Sequence, residues 1–137
     1  HIGREGEYCK NTLDLSMEFY RKALKIQRTT LGDKHIDLAI TIDGMGDVYE
    51  KRRQYDKALL SYRKALEVRK AALGEHHIYF AITMHQLGKY FVRRKDHLAA
   101  MKCLTETLRL YKLHRMGNAH PRVREISQNL EIAWAHL

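Results

Sequence analysis

Leu31-Gly32-Asp33-Lys34-His35-Ile36 returns as Leu73-Gly74-Glu75-His76-His77-Ile78 and, one residue longer, as Met116-Gly117-Asn118-Ala119-His120-Pro121. The step is 42 residues, then 43. A fixed period of this size marks a repeat architecture, in which each unit buries its apolar face against its neighbours. The agreement extends outward from these connectors. Tyr20-Arg21-Lys22-Ala23-Leu24 recurs as Tyr62-Arg63-Lys64-Ala65-Leu66, and Ala39-Ile40-Thr41 recurs as Ala81-Ile82-Thr83.

Each repeat reads as two helices. Tyr55, Ala58, Leu59, Tyr62 and Leu66 fall at i, i+3, i+4, i+7 and i+11, which draws one apolar stripe down a helix. Leu13, Met17, Tyr20 and Leu24 repeat that stripe, as do His97, Ala100, Met101, Leu104 and Leu108. The other helix of each pair carries Leu38, Ile42, Met45 and Tyr49, then Phe80, Met84, Leu87 and Phe91. Gly32, Gly74 and Gly117 are placed to end the second helices in a left-handed conformation. Gly46 and Gly88 sit inside first helices, where glycine costs about 1 kcal/mol relative to alanine. Their recurrence implies close approach of the partner helix, expected at Ala58 and Ala100. A partial first helix is expected around residues 3–9.

The spacing Met45-Gly46, Tyr49, Ala58, Tyr62, Ala65, echoed by Leu87-Gly88, Phe91, Ala100, Leu104, resembles the tetratricopeptide repeat pattern of large-small, aromatic, small, aromatic and small residues. The 42-residue unit with its Leu-Gly-acidic-x-His connector is similar to the kinesin light chain branch of that family. The resemblance implies an all-α fold, a right-handed α-α superhelix of helical hairpins whose concave side holds extended peptides. In that branch paired asparagines on the first helices often hold the peptide. The matching pairs here are Asp43-Gly44, His85-Gln86 and Gln128-Asn129, so Asn129 alone fits and no particular cargo motif carries over. Asp43 and Asp47 likewise do not resemble the basic clamp with which some tetratricopeptide domains hold a C-terminal carboxylate. The groove positions the resemblance implies are Asp43, Asp47, Glu50, His85, Gln86, Lys89, Gln128 and Asn129. Asp43, Asp47 and Glu50 would make one unit acidic; His85, Lys89 and Arg93 would make the next basic.

Outside the groove, the turn between paired helices reads Lys51-Arg52-Arg53 and, 42 residues later, Arg93-Arg94-Lys95. Stacked repeats would align the two triplets into one basic edge. Taken singly, each triplet is also what a helix C-terminus attracts, because cations complement its dipole.

Catalytic and metal chemistry find little support. His35, His77 and His120 hold the same connector position in three units, which stacking separates by roughly 10 Å, so they cannot share one ion. Their expected role is hydrogen bonding within the connector. Cys103 and His97 lie six apart on one helix, off the i+3 and i+4 spacings. No nucleophile with its base and no phosphate-cradling glycine loop is present, so no enzyme, metal or cofactor is expected. Cys9 and Cys103 fall outside any ligand-spaced cluster and read as reduced packing residues.

The remaining bounds come from composition. The 137 residues, 45% hydrophobic with one proline, suit a single array: a partial first unit over residues 1–35, units over 36–77 and 78–120, and a partial or capping helix over 121–137. No apolar run approaches the roughly 18 to 20 residues that span a bilayer, so no membrane insertion and a cytoplasmic or other intracellular setting are expected. Lysine and arginine outnumber aspartate and glutamate 25 to 16, and the charge of +9 favours partners with acidic segments. The expected function is a non-catalytic scaffold that binds a peptide or partner subunit in the groove and along the basic edge, as part of a larger assembly. The alternative is a nucleic-acid-binding solenoid using that edge. It lacks the aromatic interleaving that stacks unpaired bases, because most tyrosines and phenylalanines belong to the apolar stripes.

Overall fold

A computed structural model describes residues 2–33 and 35–137, with side chains described from Lys10 onward. The described residues form six α-helices: α1 Ile2–Leu31, α2 Asp37–Lys51, α3 Tyr55–Leu73, α4 Ile78–Arg93, α5 His97–Leu113 and α6 Pro121–Ala135. The chain divides into two compact units, His1–Ala72 and Leu73–Leu137. In the repeat, α2, α4 and α6 are first helices and α1, α3 and α5 second helices.

The connector histidines start the first helices. Nδ1 of His35 accepts from the backbone N–H of Asp37 at 3.1 Å, His77 from Tyr79 at 3.0 Å and His120 from Arg122 at 3.1 Å. Each imidazole thereby satisfies one of the N–H groups that a helix N-terminus leaves unpaired. Pro121, at the start of α6, has no N–H and so needs no acceptor.

The ends of the helices follow a second pattern. Gly32 and Gly74 take φ of +86° and +89° after α1 and α3. Gly117 does not: α5 stops earlier, and Arg115 takes the left-handed place with φ of 58°. There the N–H of Arg115 reaches the carbonyl of Lys112 and that of Met116 reaches Tyr111. The hairpin turns close the same way, through Arg53 and Lys95, both at φ of 60°. The N–H groups of Arg53 and Gln54 bond Glu50 and Tyr49, and those of Lys95 and Asp96 bond Val92 and Phe91. This paired bonding satisfies the last carbonyls of the helix. The third residue of each basic triplet is thus a helix terminator. Asp96 then caps α5, its carboxylate accepting from Ala99 N–H at 3.2 Å.

Apolar stripes meet as the periodicity requires. In unit 1, Leu38, Ala39 and Ile42 of α2 pack with Ala65 and Val68 of α3, and Leu24 of α1 lies against them. In unit 2, Phe80, Leu87 and Phe91 of α4, Leu104, Leu110 and Tyr111 of α5, and Val123, Ile126 and Ala133 of α6 are buried. The interior glycines do mark close approach, but to different residues than expected. A Cβ on Gly46 would stand 2.7 Å from the Tyr62 ring, and one on Gly88 would stand 2.7 Å from Leu104 Cδ2. Ala58 and Ala100, one turn earlier, are fully buried.

The start of the chain also departs from expectation, since residues 2–31 run as one helix without a hairpin turn. Gly3-Arg4-Glu5-Gly6-Glu7 carries no apolar stripe, so a separate helix there would have nothing to bury against its neighbour. The packing of residues 3–9, Cys9 included, and Lys34 of the connector lie outside the described residues. Cys103 is half-buried in α5. No helix among the described residues is long and apolar enough to cross a membrane.

Candidate functional site

One position in each second helix reaches into a first helix. Gln27, Arg69 and Tyr111 lie 42 apart in sequence. Gln27 Oε1 accepts from Thr41 Oγ1 at 2.8 Å, and Arg69 Nη1 donates to Asp43 Oδ2 at 2.5 Å. Tyr111 Oη lies 3.1 Å from His85 Nδ1. Asp43 and His85 are themselves 42 apart, so the repeat builds the same link twice with different chemistry.

In unit 1 the Arg69 and Asp43 side chains are 13% and 19% exposed. Burial pushes the Asp43 carboxyl above its ordinary value, against the opposing pull of the Arg69 charge and hydrogen bond. Beside this pair, Tyr62 Oη approaches Asp47 Oδ1 at 2.6 Å and Glu50 Oε1 at 3.1 Å. A single hydroxyl proton serves one carboxylate at a time. Burial, then the hydrogen bond to Asp47, raises the Tyr62 phenol well above its ordinary range. Asp47 is exposed, so its remaining lone pairs face solvent.

In unit 2 three helices converge on His85, which is 2% exposed. Its Nε2 lies 3.2 Å from Asn129 Oδ1, an oxygen that can only accept, so the Nε2 proton is donated to α6. Nδ1 then accepts from the Tyr111 hydroxyl, and the neutral imidazole is satisfied on both sides. Burial holds the imidazole below its ordinary value of 6.5; the Asn129 bond and the Glu125 charge oppose this, while Lys89 and Arg122 add to it. Above this core, Lys89 Nζ bonds Glu125 Oε1 at 2.8 Å, joining α4 to α6 and lowering the Glu125 carboxyl. Gln86 and Gln128 are exposed.

This arrangement carries a pH dependence. The folded value of His85 is depressed, so the unfolded chain binds more protons, and stability from this group is present above 6.5 and lost as pH falls below it. Unit 2 is expected to weaken in urea titrations on going from neutral pH to mildly acidic pH. In His85→Gln, whose amide can both donate and accept, the slope should flatten; an unchanged slope would assign it elsewhere.

The expected groove residues therefore separate. Asp43, His85 and Asn129 are structural links; His85 in particular is too buried to meet a ligand. Burial beneath Tyr111 overrides the exposed position that the resemblance implied. Asp47, Gln86 and Gln128 face solvent, while Glu50 and Lys89 are half-buried within the hydroxyl and ion-pair contacts above. In the basic turns, Lys51, Arg53, Arg93 and Lys95 are exposed, Arg94 is half-buried, and Arg52 is tied to Asp14 of α1 by an ion pair. The two triplets lie in different units. Sequence reasoning missed Tyr62, Arg69, Tyr111 and Glu125. Polar or amphipathic residues recurring at 27, 69 and 111 inside an otherwise apolar seam were the available signal.

The family model for the tetratricopeptide repeat matches residues 8–71 and 61–112. Among solved structures, BtubC (BKLC) from P. vanneervenii superposes with a TM-score of 0.79 at 19% identity, over 92% of this chain and 50% of that one. The nearly identical kinesin light chain TPR-like repeats of Podosopora anserina superpose with a TM-score of 0.77 at 16% identity, over 95% of this chain and 62% of theirs. A Q17M form of the latter gives 0.76 at 16% identity, over 95% and 61%. The chain thus spans half to about three-fifths of the length of these structures, and at these identities the likeness shows the fold alone, an all-helical repeat solenoid. No curated protein sequence matches.

Proposed function

This chain belongs to the tetratricopeptide repeat family, whose repeats generally mediate protein–protein interaction, and from that membership we propose that its first-helix faces hold a segment of a protein partner without catalysing a reaction. The observation that supports this reading most directly is the anchoring of those faces from beneath. Arg69 fixes Asp43, Tyr62 fixes Asp47, and Tyr111 fixes His85, which fixes Asn129. Of the solvent-facing groups, Asp47 is held by Tyr62 and Lys89 by Glu125, and side chains so held lose little further freedom when a ligand arrives, so more of the contact energy appears as affinity. The groups that meet the partner are Asp47 in unit 1 and, taken by themselves, Gln86, Lys89 and Gln128 in unit 2. The amides bond a peptide backbone, and Asp47 and Lys89 select charge. The exposed lysines and arginines of the two turns steer partners with acidic segments toward the chain, an effect that salt screens.

Site-specific photo-crosslinking tests this reading. A benzophenone side chain at position 86 or 128 is expected to form protein adducts that survive nuclease treatment, while the same probe at Lys102 or Lys112 on α5 forms few. The captured partner, once purified, should bind Gln128→Arg at least several-fold more weakly. Nuclease-sensitive adducts would favour the nucleic-acid reading, and adducts confined to α5 would move the site off the first helices.

A further inference from the structure

The outer face of α3 differs in kind from those of the other second helices. Two positions four residues apart carry opposite charges in α1 and α5, Glu18 with Lys22 and Lys102 with Glu106. In α1 the two meet at 3.1 Å, the i, i+4 pairing that a helix surface favours. The corresponding positions of α3, 42 residues from each, hold Leu60 and Lys64. Leu60 is 73% exposed, and among the described residues Lys64 and the adjacent Arg63 pair with no carboxylate.

A single exposed leucine is ordinary, but this one continues an apolar surface. In unit 1 a groove of about 540 Å³ runs from Leu60 over Ile42 and Met45 of α2 to Leu24 of α1. Of its charged lining residues, Arg28, Arg63, Lys64 and Glu67, three are cations.

The chain itself does not fill this groove. Helices α1, α2 and α3 border it, and no residue of unit 2 lines it. A helix packed before α1 in a repeat array would be buried on the exposed stripe of Leu15, Phe19 and Ile26. At about 100° per residue, Leu24 lies roughly 140 to 180° round α1 from that stripe, on the side that faces the groove. A second copy of the chain, with its charge of +9, is repelled by the same cations.

We propose that the groove between α1 and α3 docks an amphipathic helix of a partner protein, its apolar stripe on Leu24, Met45 and Leu60 and its glutamates or aspartates on Arg63 and Lys64. A trough between two helices, floored by a third, is the seat that a further helix takes. The partner covers Leu60 and returns to Lys64 the carboxylate that the leucine replaced. This surface is separate from the first-helix faces and does not depend on the reading given for them.

The test is methyl NMR on the full chain with two synthetic helical peptides. Both carry leucines at i, i+3, i+4 and i+7; one is flanked by glutamates, the other by lysines. The glutamate peptide is expected to shift the methyls of Ile42, Met45 and Leu60 in a saturable way below about 1 mM and to bind roughly tenfold more tightly than the lysine peptide. In Arg63→Glu with Lys64→Glu the preference should reverse, and in Leu60→Ser both peptides should bind several-fold more weakly. All three side chains are exposed, so these changes leave the core intact. A preference set by net charge alone would survive the double reversal, because +9 less four leaves +5; that result would overturn the proposal. So would the absence of a saturable shift up to about 1 mM peptide, or shifts centred on Asp47, Gln86 and Gln128, which would place the peptide on the first helices. Binding of anionic phospholipid vesicles that is lost in Leu60→Ser, with no binding of either peptide, would assign the surface to a membrane and overturn it too.

Discussion

Replacing Arg69 with leucine is expected to destabilise unit 1 by about 3 to 5 kcal/mol, the range found when one member of a buried ion pair is removed. Asp43 would be left largely buried, near the Asp47 charge, with its carboxylate unpaired. The burial that already raises its carboxyl would then act without the opposing guanidinium. The sign of the pH response follows. A carboxyl whose folded value is raised binds more protons folded than unfolded, so stability lost in Arg69→Leu should be partly regained as pH falls through that raised value. Removing both partners has a different outcome. Asp43→Leu with Arg69→Leu leaves no charge to desolvate and should be neutral or more stable than the parent, because apolar packing often equals a buried pair. Urea titrations of the parent, the single variant and the double variant decide the matter. A single-variant loss below about 1 kcal/mol, typical of exposed pairs, would show that water screens the contact.

That pair also shows how far the sequence could be read. The fold was legible because its cues repeat: connector histidines that accept from the first N–H groups of α2, α4 and α6, and apolar stripes at one period in each helix. A single cue can mislead, but the same cue at a fixed step is constrained by the same packing each time. The candidate site was less legible for a specific reason. Positions 43 and 85 lie on the border between the apolar stripe and the polar face, where helical periodicity leaves either side open. The side is chosen by a residue 26 positions away on the next helix: Arg69 covers Asp43 and Tyr111 covers His85. Nothing at 43 or 85 announces that choice. Gly117 failed for a related reason. The glycine was in its expected place, but the longer connector let α5 end sooner, and Arg115 accepted the left-handed conformation. The continuous α1 reflects what residues 3–7 lack, since a hairpin turn forms only where a second apolar stripe exists to be buried.

Gly88→Leu is expected to destabilise unit 2 by about 1 to 3 kcal/mol, the usual effect of overpacking. Alanine at the same site separates the two opposing terms. In a helix interior alanine is favoured over glycine by about 1 kcal/mol, but its Cβ would stand 2.7 Å from Leu104 Cδ2 and 2.9 Å from its Cγ. Leu104 is fully buried, so it has no solvent to retreat into, and the clash should outweigh the propensity gain. At Gly46 the obstacle is the edge of the Tyr62 ring, which is half-buried and can swing outward. That movement gives up the hydroxyl contacts to Asp47 and Glu50, so Gly46→Ala should be milder for stability than Gly88→Ala while loosening the surface proposed to meet the partner. Shortening the obstacle provides the control: Gly88→Leu combined with Leu104→Ala should recover part of the loss, because the added volume enters the space the leucine vacates. The single variants Gly88→Leu, Gly88→Ala, Gly46→Ala and Leu104→Ala and the double variant are compared by chemical denaturation, with Trp134 emission reporting unit 2. Non-additive recovery in the double variant is the signature of direct contact between α4 and α5 at this point. Strictly additive losses, or unchanged stability in Gly88→Leu, would mean that α4 and α5 do not close on Gly88.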